Sequence, residues 1–360
     1  MLYLFNSAYR AGFTTNVLNT LYLPKGCVNK YRYTVGRNVD SSICDRVKLG
    51  DELIIVFIDR YGEEGYRFHP LREGELHRCY PEGDHIFFEV KLLDYVYPKN
   101  LEDFQDQIKR SLDSLDLPRL TRGDRQATDD GTYAIPGAAP LRELGGMISS
   151  DSAWTSCVDQ LHRAKAFIPD AHNEYLFLRA TIQTGVNQGH TLDVEIYKGI
   201  PRFSLTAEGS YCLRLFYKYP PQQTDSMRVS KVSIEDENNV IVPRVARAYT
   251  VDKLADEITF TFSVTSWPRQ LAGQILANTQ QPDGLVKTHG PDVGIPYRVK
   301  QNIWRGVMTL LAILLMGVSG AALGLDILTG GWHVFVKIAA AALQASAIYY
   351  LYWRLGHKVQ

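Results

Sequence analysis

The sequence predicts an α+β to mainly β soluble region followed by a C-terminal transmembrane hairpin of two helices. Within the soluble region it predicts a small barrel-like α+β domain and then an immunoglobulin-like β-sandwich. Short runs rich in aromatic and β-branched residues, divided by turn residues, predict the strands. About seven alternating runs within residues 172–267 predict the sandwich. Two long apolar stretches after residue 305 predict the hairpin, because a bilayer core about 30 Å thick needs roughly 20 apolar helical residues to cross it.

Residues 1–118 form the first expected domain. Met1 to Phe5 reads as a strand and Thr14 to Leu21 as a helix that stops before Pro24. Strands follow over 30–35, 51–58, 66–71, 75–80 and 85–92. Gly50-Asp51 and Gly83-Asp84 each feed a strand from a tight turn. Asn100 caps a helix whose Leu101, Phe104, Ile108, Leu112 and Leu115 share one face, and Pro118 stops it. Residues 119–171 read as a linker with a short helix, since TRGDRQATDDGTYAIPGAAP is rich in turn formers and has little apolar period. In the sandwich, Ile258, Phe260 and Phe262 face one way and Thr259, Thr261 and Ser263 the other. The Cys…Trp…Cys spacing of antibody domains is missing, so the architecture alone is predicted. The prolines and glycines of residues 268–300 predict a juxtamembrane stalk, and 301–360 is the hairpin.

The tail is the most specific signal. Gly306 to Leu325 carries no charge, and Trp332 to Trp353 carries one Lys and one His. Arg298, Lys300 and Arg305 precede the first span, Arg354 and Lys358 follow the second, and the loop between holds only Asp326. The positive-inside rule then places both termini and the soluble region in the cytoplasm, with two passes through an inner membrane. Gly317, Gly320 and Gly324 in the first span and Ala341 and Ala345 in the second have the small-residue spacing that lets helices approach closely. Gln344 is polar and deep, which suits a hydrogen bond between helices. Lys337 reads as a residue that snorkels to the interface, with a pore-lining charge as the alternative.

Charge is balanced, Lys+Arg 39 against Asp+Glu 39, so no global field argues for a polyanionic partner. Five widely spaced cysteines without a CxxC predict reduced, buried thiols rather than a disulfide framework. The opening MLYLFNSAYR lacks a signal-peptide pattern, in line with that compartment.

No nucleophile elbow, phosphate loop or HExxH motif is present, and no catalytic residue or cofactor is assigned. His69, His77, Cys79 and His85 are zinc-ligand types, but they read as ordinary strand positions, and no metal is assigned. Lys25, Lys30, Tyr31, Arg32, Tyr33 and Arg37 mix cations with aromatics, a pattern that binds single strands or nucleotides, against a solvated strand face. Arg67 and Arg72 are candidates for holding an anion. The ligand-binding candidates are therefore Arg32, Tyr33, Arg67 and Arg72. Glu235-Asp236-Glu237 reads as a solubilising hairpin tip.

The layout, soluble sensing modules ahead of a terminal helical pair, resembles bacterial antiviral abortive-infection effectors. That resemblance covers the order of parts and no motif. It implies a membrane-anchored cytoplasmic sensor-effector that oligomerises and perturbs the bilayer when a small ligand or partner protein binds. A membrane-anchored scaffold for a partner protein is the first alternative, and a membrane-tethered nucleic-acid or nucleotide binder the second.

Overall fold

The computed structural model describes residues 2–6, 11–36, 39–60, 66–113, 131–134, 147–150, 152–163, 176–185, 189–219, 231–236, 238–244, 248–265, 271–280, 291–301, 308, 311–315 and 331–356. The protein is mostly β with few helices, and it divides into two compact units, Met1–Val299 and Lys300–Gln360.

The first unit begins β1 (Leu2–Asn6), α1 (Ala11–Tyr22), β2 (Val28–Thr34), α2 (Ile43–Arg46), β3 (Glu52–Arg60), β4 (Tyr66–Glu82), β5 (His85–Pro98) and α3 (Leu101–Asp113). β6 (Gly131–Ala134), β7 (Met147–Ser149) and α4 (Ala153–Arg163) follow. The strands β2, β5, β4, β3, β1 and β6 pair in that order, and β7 also pairs with β5. β1 runs parallel to β3, with Leu2 beside Leu53 and Asn6 beside Phe57, whereas the remaining pairs are antiparallel. Among the described residues this sheet does not close but ends at β2 and β6, a mixed sheet in place of the expected barrel. The parallel pair needs a crossover, which α1, β2 and α2 supply.

Both faces of this sheet are covered, which explains why β3 is buried from Leu53 to Asp59 and not at alternate residues. Leu53, Ile55 and Phe57 join the core that holds residues of α1 and α4. Ile54, Val56 and Ile58 face the other way, towards the side where Phe5 and Phe68 meet edge to face at 5.7 Å. There α3 docks: the Gln105 amide accepts from Phe68 N at 2.7 Å and donates to Phe68 O, above buried Phe104 and Ile108. Gly74 on β4 lies between Leu53 of β3 and Leu92 of β5. A Cβ there would lie 2.5 Å from Val90 Cγ1 and 2.8 Å from Leu53 Cδ1, so any larger residue would push these side chains aside.

The C-terminus of α1 is closed by side chains from three other elements. Arg72 on β4 is 1% exposed, so it is no surface anion clamp. Its Nε donates to Leu93 O at 2.7 Å, and Nη1 donates to Thr20 O at 2.8 Å and Leu23 O at 2.6 Å. Tyr95 and Trp154 each donate to Leu21 O, at 2.7 and 3.2 Å. These carbonyls are the orphan acceptors at a helix end, and the cation also suits the negative end of the helix dipole.

Ten further strands follow: β8 (Phe177–Thr184), β9 (Val194–Tyr197), β10 (Ile200–Thr206), β11 (Ser210–Lys218), β12 (Lys231–Asp236), β13 (Ile241–Pro243), β14 (Ala248–Thr250), β15 (Ala255–Val264), β16 (Ala272–Gln280) and β17 (Ile295–Lys300). They form a six-stranded sheet, β14-β12-β16-β17-β10-β9, and a four-stranded sheet, β13-β15-β11-β8. Residues 268–300, expected as a stalk, instead supply two interior strands of the larger sheet. β16 and β17 are antiparallel, with Gly273 beside Tyr297. The apolar faces of both sheets share one core with the first sheet, α1 and α4. The regions expected as separate domains, 1–118 and 172–267, thus lie in one compact unit.

Cys44 on α2 and Cys79 on β4 form a disulfide with Cα atoms 5.6 Å apart, which corrects the expectation of reduced thiols throughout. Cys27, Cys157 and Cys212 are free and buried, and burial pushes the Cys27 and Cys157 thiols up to about 12.

In the second unit, Met308 and residues 311–315 are helical, and α5 spans Gly331–Gly356. Among the described residues, no helix is long and apolar enough to cross a membrane. Much of the first expected span, residues 306–307, 309–310 and 316–325, lies outside the described residues, and Gly317, Gly320 and Gly324 are among them. In α5, Ala340 and Ala347 are buried and Gln344 is half-buried, while Ala341 and Ala345 are exposed. The inner seam of α5 is therefore displaced by one position from the expected small-residue pair. Lys337 is half-buried one turn before Ala341.

Candidate functional site

The outer face of β2, β5 and β4 carries the exposed part of the basic-aromatic stretch. Strand alternation divides the basic-aromatic stretch of β2 between two faces. Tyr31 and Tyr33 point inward, and the Tyr33 hydroxyl donates to Phe5 O at 3.2 Å while its ring meets Phe88 at 5.8 Å. Tyr33 is therefore a core residue and not a ligand contact. Lys30 and Arg32 are exposed on the opposite face.

Register then adds residues that the sequence reading passed over. Arg32 lies beside Phe87, which lies beside Tyr80; Lys30 lies beside Glu89, which lies beside Arg78. Phe87 and Tyr80 stack at 5.5 Å with an interplanar angle of 21°. Lys30 Nζ sits 3.9 Å from the Phe87 ring centre, and the Arg78 guanidinium 4.5 Å from that of Tyr80. Tyr80 donates to Glu89 at 3.3 Å. The face thus presents two stacked rings among three cations, opposed by Glu89 and Glu82. Chemically it can stack a planar ring and hold an anion beside it. The signal was present in the alternation of RCYPEGDHIFFE, but pairing across strands was needed to place Phe87 between Arg32 and Tyr80.

The other anion candidates stand elsewhere. Arg67 is exposed and pairs in register with Asp59 across β3 and β4. Arg72 serves the end of α1. The four candidates thus do not converge. The weighed zinc ligands separate likewise. His69 faces Gln160 of α4, His77 Nε2 lies 3.0 Å from Gly199 O, Cys79 is in the disulfide, and His85 lies on the outer face near Phe87. Among the described residues no group of His, Cys, Asp and Glu side chains could hold a metal ion.

Two histidines are buried in the first unit. His69 Nδ1 lies 3.4 Å from Gln160 Oε1, and His162 packs on Phe177 at 5.0 Å with Asp159 3.9 Å away. Burial lowers both to about 4 from an ordinary 6.5. The unfolded chain therefore binds more protons than the fold between those values, so stability rises with pH across that window. We expect the histidines' contribution to the unfolding free energy to fall as pH drops below about 6.5 and to level off near 4, by about 3 kcal/mol per histidine. Denaturant midpoints measured at pH 4–7 check this; His69→Gln and His162→Gln should each flatten the slope, and an unchanged slope would contradict the assignment.

No protein-family model matches the chain, and neither a curated protein nor a solved structure matches it. The architecture and surfaces described above therefore stand on their own physical chemistry.

Proposed function

We propose that the protein is a membrane-attached sensor-effector, in which Met1–Val299 recognises a ligand or partner and Lys300–Gln360 engages the bilayer. The observation that carries this reading is the exposure of large apolar side chains in the second unit. Met308, Leu311, Ile313 and Leu314 are 51%, 50%, 52% and 67% exposed. On α5, Ile338, Leu343 and Ile348 are 64%, 48% and 51% exposed. At 3.6 residues per turn successive members of this set are about 140° apart and the first and last about 80°, so large apolar side chains emerge on more than one side of α5, with Lys337 and Gln344 among them. Such a helix suits lipid or the inside of an assembly, not water. Its 26 residues extend about 39 Å. The paired sheets of residues 177–300 we read as an immunoglobulin-like recognition module. Basic residues flanking the tail favour a cytoplasmic first unit and a two-pass inner-membrane hairpin. Exposed Ala341 and Ala345 favour contacts between copies, so the effector is read as a homo-oligomer. The order of parts is that of bacterial antiviral effectors.

Two measurements test this. The full chain should sediment with membranes and resist carbonate extraction; recovery in the soluble fraction would reject membrane attachment. Membrane potential followed by dye should collapse on activation and be preserved when residues 301–360 are exchanged for an unrelated anchor. Full activity with the exchanged anchor would instead support the scaffold reading, in which the tail only tethers.

The stacked Phe87–Tyr80 pair favours a second reading, in which the ligand is a single-stranded nucleic acid or a nucleotide. Filter binding should then show a salt-sensitive affinity that Arg32→Ala and Phe87→Ala each weaken about tenfold, in line with about 1–3 kcal/mol per stacked base. No salt-sensitive affinity in the unaltered protein would remove this reading.

A further inference from the structure

The five cysteines of the chain are of two kinds. Cys27, Cys157 and Cys212 are free and buried, and burial pushes their thiols up. Cys44 and Cys79 are half-buried and bonded to each other. Thiol–disulfide exchange needs a thiolate and access to a sulfur, so this pair alone is placed to take part in it.

The disulfide ties down a segment that few other bonds reach. The segment is anchored at its two ends, where Val35 N donates to Asp84 O at 2.9 Å and Gly50 N donates to Leu76 O at 2.8 Å. Between these anchors, among the described residues, the hydrogen bonds of residues 40–48 run within residues 40–51. Ser42 N, Ser42 Oγ and Arg46 Nη2 donate to the Asp40 carboxylate at 3.0, 3.2 and 2.8 Å. Val47 N donates to Ile43 O at 3.1 Å, and Lys48 N donates to the Asp51 carboxylate at 2.7 Å. Apart from the S–S bond, the segment packs on the core through Val39 and Ile43, which are buried, and Val47, which is partly buried. Cys79 lies in register beside Phe88, with Tyr31 beyond it, and both rings are buried. The closed bond therefore holds α2 against the inner face of the sheet. Opening it leaves mainly those three aliphatic side chains to keep α2 in place.

We propose that Cys44 and Cys79 form a reversible redox site that exchanges with the glutathione pool, open as a dithiol at rest and closed when glutathione disulfide rises. It rests on the cytoplasmic placement of the first unit, a compartment in which disulfides serve as transient redox sensors. In closing, one cysteine thiolate attacks glutathione disulfide and displaces one glutathione. The other cysteine then attacks the mixed disulfide, forms the Cys44–Cys79 bond and displaces the second glutathione. Two electrons and two protons pass from the two cysteines to the two glutathione molecules, which leave as thiols. Closure fixes residues 40–48 against β4, and opening frees them to leave the sheet.

The test equilibrates the full chain in detergent with mixtures of reduced glutathione and glutathione disulfide. The samples are acid-quenched and alkylated, and the masses of the Cys44 and Cys79 peptides are read. The pair should pass from disulfide to dithiol as reduced glutathione comes to dominate, and return when the mixture is reversed. Amide hydrogen exchange over residues 40–48 should be about tenfold faster in the dithiol form, with β1 and β3 unchanged, because only this segment loses its tie. Cys44→Ser should show the fast exchange in every mixture. A pair that stays oxidised in excess reduced glutathione is a structural disulfide and would overturn the proposal. Equal exchange in the two forms, or loss of protection across β1 and β3 on reduction, would overturn it too. The cytoplasmic placement fails by a different result: a membrane-impermeant maleimide that labels the reduced pair in intact cells would put the first unit outside. That would remove the role in sensing even where the purified protein exchanges as described.

Discussion

Arg72→Leu is expected to lower the unfolding free energy by about 4 kcal/mol, because it strands buried acceptors bonded to a charged donor. Leu93 O, Thr20 O and Leu23 O lose their Arg72 donor together, and the Tyr95 hydroxyl loses a neighbour at 3.3 Å. Leucine fills part of the volume but donates nothing. Arg72→Lys should recover only part of the loss, since one ammonium cannot span Leu93 O on β5 and the end of α1 as a planar guanidinium does. Chemical denaturation of both variants checks this. The result also separates two roles. An arginine that held a ligand would leave stability unchanged on removal, whereas a helix-capping arginine cannot.

Reduction of Cys44–Cys79 is expected to cost a comparable amount. The cysteines are separated by 35 residues, and releasing a loop of that size returns about 4 kcal/mol of chain entropy to the unfolded state. α2 is only four residues long and buries only Ile43, so little else holds it. Melting in the presence and absence of a dithiol reductant measures the effect; Cys44→Ser should match the reduced protein, and an unchanged melting temperature would contradict it. Cys27, Cys157 and Cys212 are buried thiols held neutral, so alkylation should report mainly on Cys44 and Cys79. The same labelling in intact cells tests the proposed sidedness, since a cytosolic first unit would hold this pair reduced.

Strand alternation was legible from sequence wherever one face met water. Ile258, Phe260 and Phe262 are buried while Thr259 and Ser263 are half-buried, although Thr261 on that second face is buried too. β3 shows no such alternation, because both faces are covered and Ile54 and Ile55 are equally buried. The glycines and prolines of residues 268–300 hid β16 and β17. Gly273 suits β16 because Tyr297 occupies the space beside it: a Cβ would lie 2.6 Å from its hydroxyl. The candidate site was half legible. Lys30 and Arg32 were visible as a basic-aromatic run, but Phe87, Tyr80 and Arg78 join them only through register.

What the sequence determined by itself was local: the mostly β composition, the helix periods of α1 and α3, and the concentration of uncharged apolar residues in the tail. These follow from side-chain patterning along one segment. The tertiary structure decided everything that depends on residues far apart in the chain. Tyr33 went inward and Arg32 outward because β2 pairs with β5. Arg72 went into the core because the carbonyls of α1, some 50 residues earlier, needed donors there. Cys44 met Cys79 because α2 lies against β4. No local pattern encodes a hydrogen-bond partner or a register, since both are properties of the packed chain.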